Sequence, residues 1–349
     1  MKTVTIHATA GKKAAALVGF CLLCGLLLRF PTAAANGATR GLAVCGNVLI
    51  PTLLPFMALS SFLVESGLSE TIGRRLGKGC VWLFGLPASA AAGVLVSFIG
   101  GYPAGAVACA KLVAQGAIRE EDARRMMRFC VVAGPAFVVG AVGNGLLKSP
   151  AHGWLLLLAQ WAAALVIGIV GGRASRDFPP APPPPATPKP VFSAVAVAVG
   201  DAARAMVVMC GFVTVTAGFL AVLDGMGLPQ LVSDTVAAAA EVSVGCVAWS
   251  ESAVALAACI GFGGLSVHGQ IASLFSFPLL DRGFFAARIC HALLAAAITR
   301  GLLCFVPLSV SAFAPGQVQT LPFSCGFTGS AALLATLVTA LFSIPQKGT

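Results

Sequence analysis

Residues 99–106 read IGGYPAGA and residues 260–270 read IGFGGLSVHGQ, so a glycine-rich break interrupts an apolar segment in each half of the chain. Glycine and proline both disfavour a continuous helix at such positions. Upstream of the breaks, FMALSSFLVESGL at 56–68 resembles FVTVTAGFLAVLDGMGL at 212–228, again about 160 residues apart. This offset predicts an internal repeat, and a pair of interrupted apolar segments in corresponding positions is typical of secondary transporters.

The composition places the chain in a membrane. Of its 349 residues 58% are apolar and 10% are charged, and its mean hydropathy is +0.94, whereas soluble domains hold roughly 25% charged residues. We therefore predict an all-α polytopic membrane protein. Segments 104–115 and 265–280, which follow the breaks, are too short to cross a bilayer and predict re-entrant or broken helices buried in protein. The candidate spans are residues 14–30, 41–64, 80–100, 129–147, 153–171, 206–223, 244–261, 289–306 and 330–344.

The predicted organisation has five parts. Residues 1–40 hold an N-terminal transmembrane helix and loop, for which a cleaved secretory signal is the alternative; the long apolar run favours an uncleaved helix. Residues 173–190 (RASRDFPPAPPPPATPKP) predict an extended proline-rich linker. The remaining parts are a first gate-like repeat with its following spans at 41–172, a second gate-like repeat at 191–306, and a C-terminal loop and transmembrane helix at 307–349.

The basic residues are distributed unequally between the two repeats. Loops 65–79 and 116–128 hold seven Lys or Arg, whereas the corresponding loops 224–240 and 281–288 hold only Arg282 and Arg288. Because cytoplasmic loops carry the excess of basic residues, the corresponding loops are expected on opposite sides of the membrane. The sequence thus predicts two inverted-topology repeats. The net charge of +10 indicates contact with anionic lipid headgroups, above all along 119–128, and no nucleic-acid partner.

The breaks themselves suggest a binding site. A half-helix beginning near Ala104 or Leu265 would direct its positive dipole end towards the membrane midplane, where it would attract an anion. Close helix packing by small residues is the alternative explanation of the glycines. The predicted substrate-binding residues are Gly100, Gly101, Tyr102, Pro103 and Gly105 in the first break, Glu241 before the second, and Gly263, Gly264, Ser266, His268 and Gln270 in and after the second.

Several polar residues have two interpretations each. His268 could couple transport to protons or could lock the structure through a carbonyl. The ring of Tyr102 could meet an aromatic cargo or anchor at the interface. Glu241 could accept a proton, bind a coupling cation, or pair with a basic residue. Lys111 could neutralise a cargo carboxylate or snorkel to the surface.

No enzymatic motif or metal site is predicted. The sequence lacks a phosphate-binding loop, an HExxH motif and a nucleophile elbow, and its 12 cysteines have the scattered spacing of packing residues. No cofactor is expected. Coupling to protons or sodium and homo-oligomerisation both stay open.

Three segments resemble a known family: IPTLLPF at 50–56, GGYPAGA at 100–106 and FGGLSVHGQ at 262–270. They are similar to the YlbJ-type sporulation integral membrane proteins, within the nucleoside-recognition or gate-domain superfamily, over roughly residues 41–300. The resemblance implies movement of dipicolinic acid towards the forespore, across the mother-cell-derived outer forespore membrane. Glu241 in EVSVG matches the acid of that family. Gly101 and Gly261 depart from it, because serine is frequent at both positions.

The residues and the resemblance together favour a secondary transporter or facilitator of a small organic anion, with dipicolinic acid as the cargo that the resemblance implies. Two alternatives stay open at this point. One is transport of a nucleoside or nucleobase, and the other is a membrane scaffold, needed for spore formation, that transports nothing.

Overall fold

The computed structural model describes residues 17–174 and 189–305. The start of the predicted first span at 14–30, most of the proline-rich linker at 173–190 and the whole C-terminal part at 307–349, with its predicted span at 330–344, lie outside the described residues.

Every regular element in the described ranges is helical. Two π-helical segments, Cys45–Leu49 and Ala136–Leu146, and one 3₁₀ turn, Ala88–Ala90, interrupt the α-helices. The α-helices are α1 (Leu17–Arg29), α2 (Pro31–Val44), α3 (Ile50–Glu65), α4 (Leu68–Phe84), α5 (Ala91–Gly100), α6 (Tyr102–Ala114), α7 (Glu120–Cys130), α8 (Pro150–Ala174), α9 (Val191–Gly225), α10 (Gln230–Ala240), α11 (Val242–Ala248), α12 (Ala253–Phe262), α13 (Gly264–Ala272) and α14 (Arg282–Phe305).

Length and apolar composition identify the elements able to cross a membrane. Four helical stretches in the described ranges qualify: Pro150–Arg173, Val191–Gly225, Ala253–Ala272 and Arg282–Phe305. Two bent pairs qualify when each is taken as one unit, α1 with Pro31–Asn47 at 95° and α4 with Ala88–Gly100 at 106°, which gives up to six spans. The prediction of an all-α polytopic membrane protein is confirmed.

Three predicted continuous spans are broken in the structure. The span at 80–100 is interrupted where α4 ends at Phe84, because Gly85 adopts φ +57° and Pro87 disfavours helix at the residue before it. The span at 129–147 divides after α7, where the chain leaves the helix until Pro135. The span at 244–261 divides between α11 and α12. The first two interruptions lie in apolar sequence, so hydropathy alone does not reveal them, whereas the third falls at the polar residues Ser250, Glu251 and Ser252.

The two glycine-rich breaks have the same local form. In each, a 10-residue helix, α5 or α12, ends at a glycine with positive φ, and a second short helix follows, α6 of 13 residues or α13 of 9 residues. The φ angles are +82° at Gly101 and +86° at Gly263. The expected broken helices are therefore present at corresponding places of the two halves. Their inverted orientation in the membrane stays a prediction.

Labelling of single cysteines tests that inversion. We expect Arg75→Cys and Gln230→Cys, in corresponding segments of the two repeats, to react with a membrane-impermeant maleimide from opposite sides of sealed vesicles. Permeabilised vesicles, in which both positions should react, provide the control. Reaction of both from the same side would show that the repeats are not inverted.

Helix α9 connects the two ends of the bundle. Its 35 residues extend about 52 Å at 1.5 Å per residue. Helix α2 lies directly against it through small residues: a Cβ on Gly37 would lie 2.4 Å from the carbonyl oxygen of Ala217, and one on Gly41 would lie 2.9 Å from Cα of Thr214. Such backbone proximity is typical of helix pairs in membranes.

Helix α7, predicted as a solvated helix at the lipid headgroups, is partly buried instead. Asp122 and Met126 on one face are 1% and 0% exposed. On another face, Arg128 pairs with Asp281 just before α14, with 3.0 Å between Nη2 and Oδ2. This helix thus joins the first half of the bundle to the second, because its amphipathic pattern places apolar residues against neighbouring helices.

Candidate functional site

Four interruptions of the chain lie together in the middle of the bundle, in two pairs. The first glycine break lies on the non-helical segment after α7, since a Cβ on Gly101 would lie 2.7 Å from the backbone nitrogen of Gly134. The second lies on the break between α10 and α11: a Cβ on Gly264 would lie 3.0 Å from the nitrogen of Val242 and 3.1 Å from Cα of Glu241. Glycine is required where backbones approach this closely.

Tyr102 joins the two pairs. Its ring carbon Cε1 lies 3.8 Å from the position of a Cβ on Gly263, and its hydroxyl donates to the carbonyl oxygen of Ile260 at 3.4 Å. The phenol is therefore buried between the two repeats and is not an interfacial anchor. Of the two sequence interpretations, the structure agrees with a position inside the site.

A cavity of about 60 Å³ lies beside three of these breaks, at Gly101, Gly134 and Glu241. By volume it has room for a few water molecules. Six of the predicted site residues line it: Gly100, Gly101, Tyr102, Pro103, Glu241 and Gln270. The other lining residues are Leu49, Leu53, Gly134, Ala136, Phe137, Ala141, Met209, Val213, Val242, Ser243 and Val267. The lining is thus mostly apolar, with a few polar groups that converge on one space, as in small-molecule sites.

Two helical segments begin at the wall of this cavity. Helix α6 starts at Tyr102, and the π-helical segment starts at Ala136, directly after Gly134 and Pro135. The first amide groups of a helix have no partner within the helix and form the positive end of its dipole. Two positive helix ends therefore point towards one cavity.

Glu241 is the one carboxylate among the lining residues. It ends α10 and begins α11 with an extended backbone, φ −147° and ψ 125°, and its Oε2 accepts from the nitrogen of Val244 at 2.9 Å. Its side chain is 4% exposed. Glu241 thus both caps a helix and supplies a carboxylate to the cavity.

Five of the predicted residues lie outside the lining. Gly105 packs against Ser97, where a Cβ would lie 2.1 Å from Oγ, which agrees with the packing alternative for this glycine. Gly263 and Gly264 form the contacts between the breaks. The hydroxyl of Ser266 accepts from Nε2 of Gln270 at 3.1 Å, so Ser266 orients a side chain that does line the cavity.

His268, the fifth, lies in an aromatic cage. Its Nε2 lies 2.8 Å from the carbonyl oxygen of Phe262, and its ring contacts Phe262, Phe284 and Phe285 at centroid distances of 5.0, 5.1 and 5.8 Å. Nε2 must donate to that carbonyl, while Nδ1 is buried with no partner among the described residues. This geometry agrees with the structural lock at the end of α12. Proton coupling through His268 stays a prediction.

Lys111 belongs to a group of charges that we call the charge cluster: Glu65, Lys111, Lys189 and Asp201. Lys111 pairs with Glu65 and with Asp201, and Lys189 pairs with Glu65 at 2.7 Å. The cluster ties the ends of α3 and α6 to the start of α9. Lys111 does not line the cavity, and its charge is compensated, so the structure shows an alternative that the sequence analysis did not include.

Removal of the central cation should destabilise this cluster. Lys111→Met leaves the carboxylate of Glu65, 7% exposed, with Lys189 as its remaining partner and leaves Asp201 without its nearest cation, and removal of one partner from a buried ion pair is destabilising. We expect a fall of several degrees in the unfolding temperature in detergent. Arg204→Met is the matched control: Arg204 is 86% exposed and lies 4.0 Å from Asp201, so its removal should change stability little. Equal effects of the two changes would contradict a stabilising role of Lys111.

The sequence analysis missed two residues at the site. Gly134 lines the cavity and contacts Gly101, and the sequence Gly134-Pro135 inside an apolar run was a signal of that break. Arg288 was assigned to a loop at the end of 281–288, yet it lies within α14 and is 0% exposed. A single arginine near the start of an apolar run resembles an interfacial residue, so no sequence signal distinguished it.

Comparison with known proteins finds a relative of part of this chain. It is similar to "Sporulation integral membrane protein YlbJ" of Bacillus subtilis (strain 168), with 29% identity over 150 residues, which covers 43% of this chain and 37% of that protein. No family model matches the chain, and no solved structure matches it. The similarity supports a relationship to YlbJ-like integral membrane proteins of sporulation, as the three sequence segments predicted. Because the match spans well under half of the relative, the activity of the whole protein is not carried over with it.

Proposed function

We propose that this chain is a secondary transporter or facilitator of a small organic anion. The observation that carries this proposal is one mostly apolar cavity lined by three chain interruptions, at Gly101, Gly134 and Glu241–Val242, while the fourth, at Gly263–Gly264, packs against the backbone of Glu241 and Val242. Irregular backbone at membrane depth is tolerated where it is buried in protein or lines a cavity. In secondary transporters such interruptions form the substrate site between two repeats.

The charge of the cargo is inferred from the backbone. The N-terminal ends of α6 and of Ala136–Leu146, which begin at lining residues, carry the positive partial charge of the helix dipole, and this favours a negatively charged group. The apolar lining suits the ring or chain that carries the negative group. An anion with an apolar body therefore fits the cavity better than a strongly hydrated inorganic ion.

The cavity is smaller than an aromatic dicarboxylate, which suggests that the structure represents a closed conformation. Opening of the cavity would move the first pair of breaks, Gly101 with Gly134, away from the second pair, Gly264 with Glu241–Val242. Tyr102 and Gly263 lie where the two pairs meet, since a Cβ on Gly263 would lie 3.8 Å from Cε1 of Tyr102. Motion of one repeat against the other at this boundary would expose the cavity first to one side and then to the other.

The negative charge of Glu241 opposes binding of an anion unless that charge is neutralised. Its carboxylate lines the same cavity, and like charges in a site of low dielectric constant repel one another strongly. A bound proton or a sodium ion at Glu241 would remove that repulsion. We infer that cargo binding is coupled to one of these cations through Glu241.

Dipicolinic acid is the cargo that we propose. Three segments resemble the YlbJ-type proteins, and the similarity to "Sporulation integral membrane protein YlbJ" connects the chain to sporulation. Transport would then occur across the mother-cell-derived outer forespore membrane. We propose no enzymatic activity, no nucleic-acid partner and no cofactor besides the coupling cation.

Uptake of labelled dipicolinate into proteoliposomes tests the proposal. We expect saturable flux that responds to an imposed proton or sodium gradient and is not reduced by excess uridine. Flux of uridine in place of dipicolinate would assign the site to nucleosides. If neither moves, although the protein is folded and gradients are present, the chain is not a transporter of these cargoes, and a scaffold role in spore formation becomes the better account.

A further inference from the structure

Arg288 is the largest wholly buried side chain among the described residues. It lies in α14, two helical turns after Asp281, and its guanidinium reaches across to the end of α7. Nη1 donates to the carbonyl oxygen of Val131 and Nη2 donates to that of Arg128. These carbonyls have no helical partners, because α7 ends at Cys130. Arg288 therefore caps α7 at the point where the chain turns into the cavity wall.

The other contacts of Arg288 are also with neutral groups. Nη1 lies 3.1 Å from Nδ1 of His291. A guanidinium has only donors, so this Nδ1 accepts, and the proton of a neutral His291 is on Nε2, which donates to the carbonyl oxygen of Gln160 at 3.1 Å. His291 is thus held as a neutral acceptor. It therefore adds no second positive charge beside that of Arg288.

The charge of Arg288 has no counter-ion within the described part of the chain. No carboxylate there lies within ion-pair distance of it, and its Nε is buried without a hydrogen-bond partner. A buried, unpaired cation is costly in any protein and most of all inside a membrane. Such a residue is expected to have a function that offsets this cost.

The guanidinium holds the segment that leads into the cavity wall. Val131, whose carbonyl it contacts, precedes the lining residue Gly134 by three positions. The Cζ of Arg288 lies 5.8 Å from the ring centre of Phe284, which in turn packs on the ring of His268.

We propose that Arg288 strengthens the preference of the cavity for anionic over neutral cargo, by holding an uncompensated positive charge near its wall while it fixes the Val131–Gly134 segment. This rests on the proposed transport function and deepens it. Arg288 touches no cargo in this arrangement and is a positioning residue.

The expected size of the effect follows from Coulomb's law. One charge acting on another over roughly a helix diameter, about 10 Å, at an effective dielectric constant near 20, changes affinity by about tenfold. A dianion should gain more than a monoanion, and a neutral molecule of the same shape should gain nothing. The preference between charged and neutral cargo is therefore the quantity to measure.

Dipicolinate and its diamide provide this comparison, because the two have nearly the same shape and differ in charge. Purified protein would be assayed for binding of each by thermal stabilisation, and for uptake in proteoliposomes. Arg288→Gln removes the charge but keeps a donor for a carbonyl, and Arg288→Lys keeps the charge but loses the two-fold contact. Arg300→Gln, exposed on the same helix, is the matched control.

We expect the ratio of dipicolinate to diamide affinity to fall by more than about tenfold in Arg288→Gln, because dipicolinate carries two negative charges, and to stay within about threefold of wild type in Arg288→Lys and Arg300→Gln. A residue with a merely structural role would lower folding or all affinities together and leave the ratio unchanged, and that result would overturn the proposal.

A third arm needs no variant and can refute the proposal even if the substitutions prevent folding. On the wild-type chain, affinity should rise from the diamide to the monoamide to dipicolinate, and equal affinities would overturn the role of Arg288. This arm measures binding alone. A chain that binds in this order but moves none of the three cargoes would refute transport and leave the inference about Arg288 intact.

Discussion

Replacement of Gly101 by alanine is expected to disrupt the site more than any other single change in the first break. Gly101 adopts φ +82° and ψ −170°, a region that is essentially restricted to glycine. A Cβ there would also lie 2.7 Å from the nitrogen of Gly134. Backbone strain and overpacking together should cost about 3 kcal/mol or more. We expect a large loss of folded protein in detergent, measured by size-exclusion chromatography and thermal unfolding.

Gly211→Ala is the control for this change. Gly211 lies inside α9, and a Cβ there has no atom within 4 Å, so alanine should be neutral or slightly stabilising. Gly101→Ser, whose Cβ would meet the same backbone atoms, should behave as Gly101→Ala does. Full stability and flux in either Gly101 variant would show that the contact between the breaks is not needed.

Glu241→Gln is expected to keep the fold and to lose coupling. Glutamine retains an oxygen that can accept from the nitrogen of Val244, now 2.9 Å from Oε2, but it can neither bind a proton at neutral pH nor attract a cation. If Glu241 links cargo to a cation, flux should no longer respond to an imposed gradient. Glu241→Ala should in addition lose the helix cap, about 1 kcal/mol, and reduce flux at least tenfold. Gradient-driven uptake in proteoliposomes measures both.

Ser252→Ala is the control that separates the loss of a helix cap from the loss of coupling between cargo and cation. Ser252 caps α12 by accepting from the nitrogen of Ala255 at 3.2 Å, in the same manner as Glu241 caps α11, yet it does not line the cavity. Loss of the Ser252 hydroxyl should lower the free energy of unfolding by an amount similar to loss of the Glu241 cap and leave flux and gradient response intact. An unchanged gradient response in Glu241→Gln would exclude Glu241 as the coupling residue.

Sequence reasoning found the two breaks whose glycines stand out from apolar surroundings. Gly101 and Gly263 both lie in glycine clusters, and both have positive φ. The internal repeat then related them, and Glu241 was selected as an acid inside an apolar run. These predictions depend on local properties: backbone freedom at glycine and the cost of a charge in lipid.

The other two breaks could not be assigned in the same way, because their partners are distant in sequence. Gly134 is needed where it meets Gly101, and Glu241 breaks the helix where Gly264 lies against it. Arg288 and Lys111 show the same limit. Each is a single basic residue in an apolar segment, and tertiary contacts alone reveal that one is paired with Glu65 and Asp201 while the other holds backbone carbonyls.

The central claim is that cargo occupies the cavity beside the breaks, and cysteine protection tests it most directly. Ser243, which lines the cavity, would be replaced by cysteine in a chain whose exposed cysteines are changed to serine, and Val247→Cys, 62% exposed on the outer surface of α11, would be the control. We predict that saturating dipicolinate slows alkylation at position 243 by at least tenfold and leaves position 247 unaffected. Equal rates with and without dipicolinate at position 243, in protein shown to bind it, would place the cargo elsewhere and contradict this account.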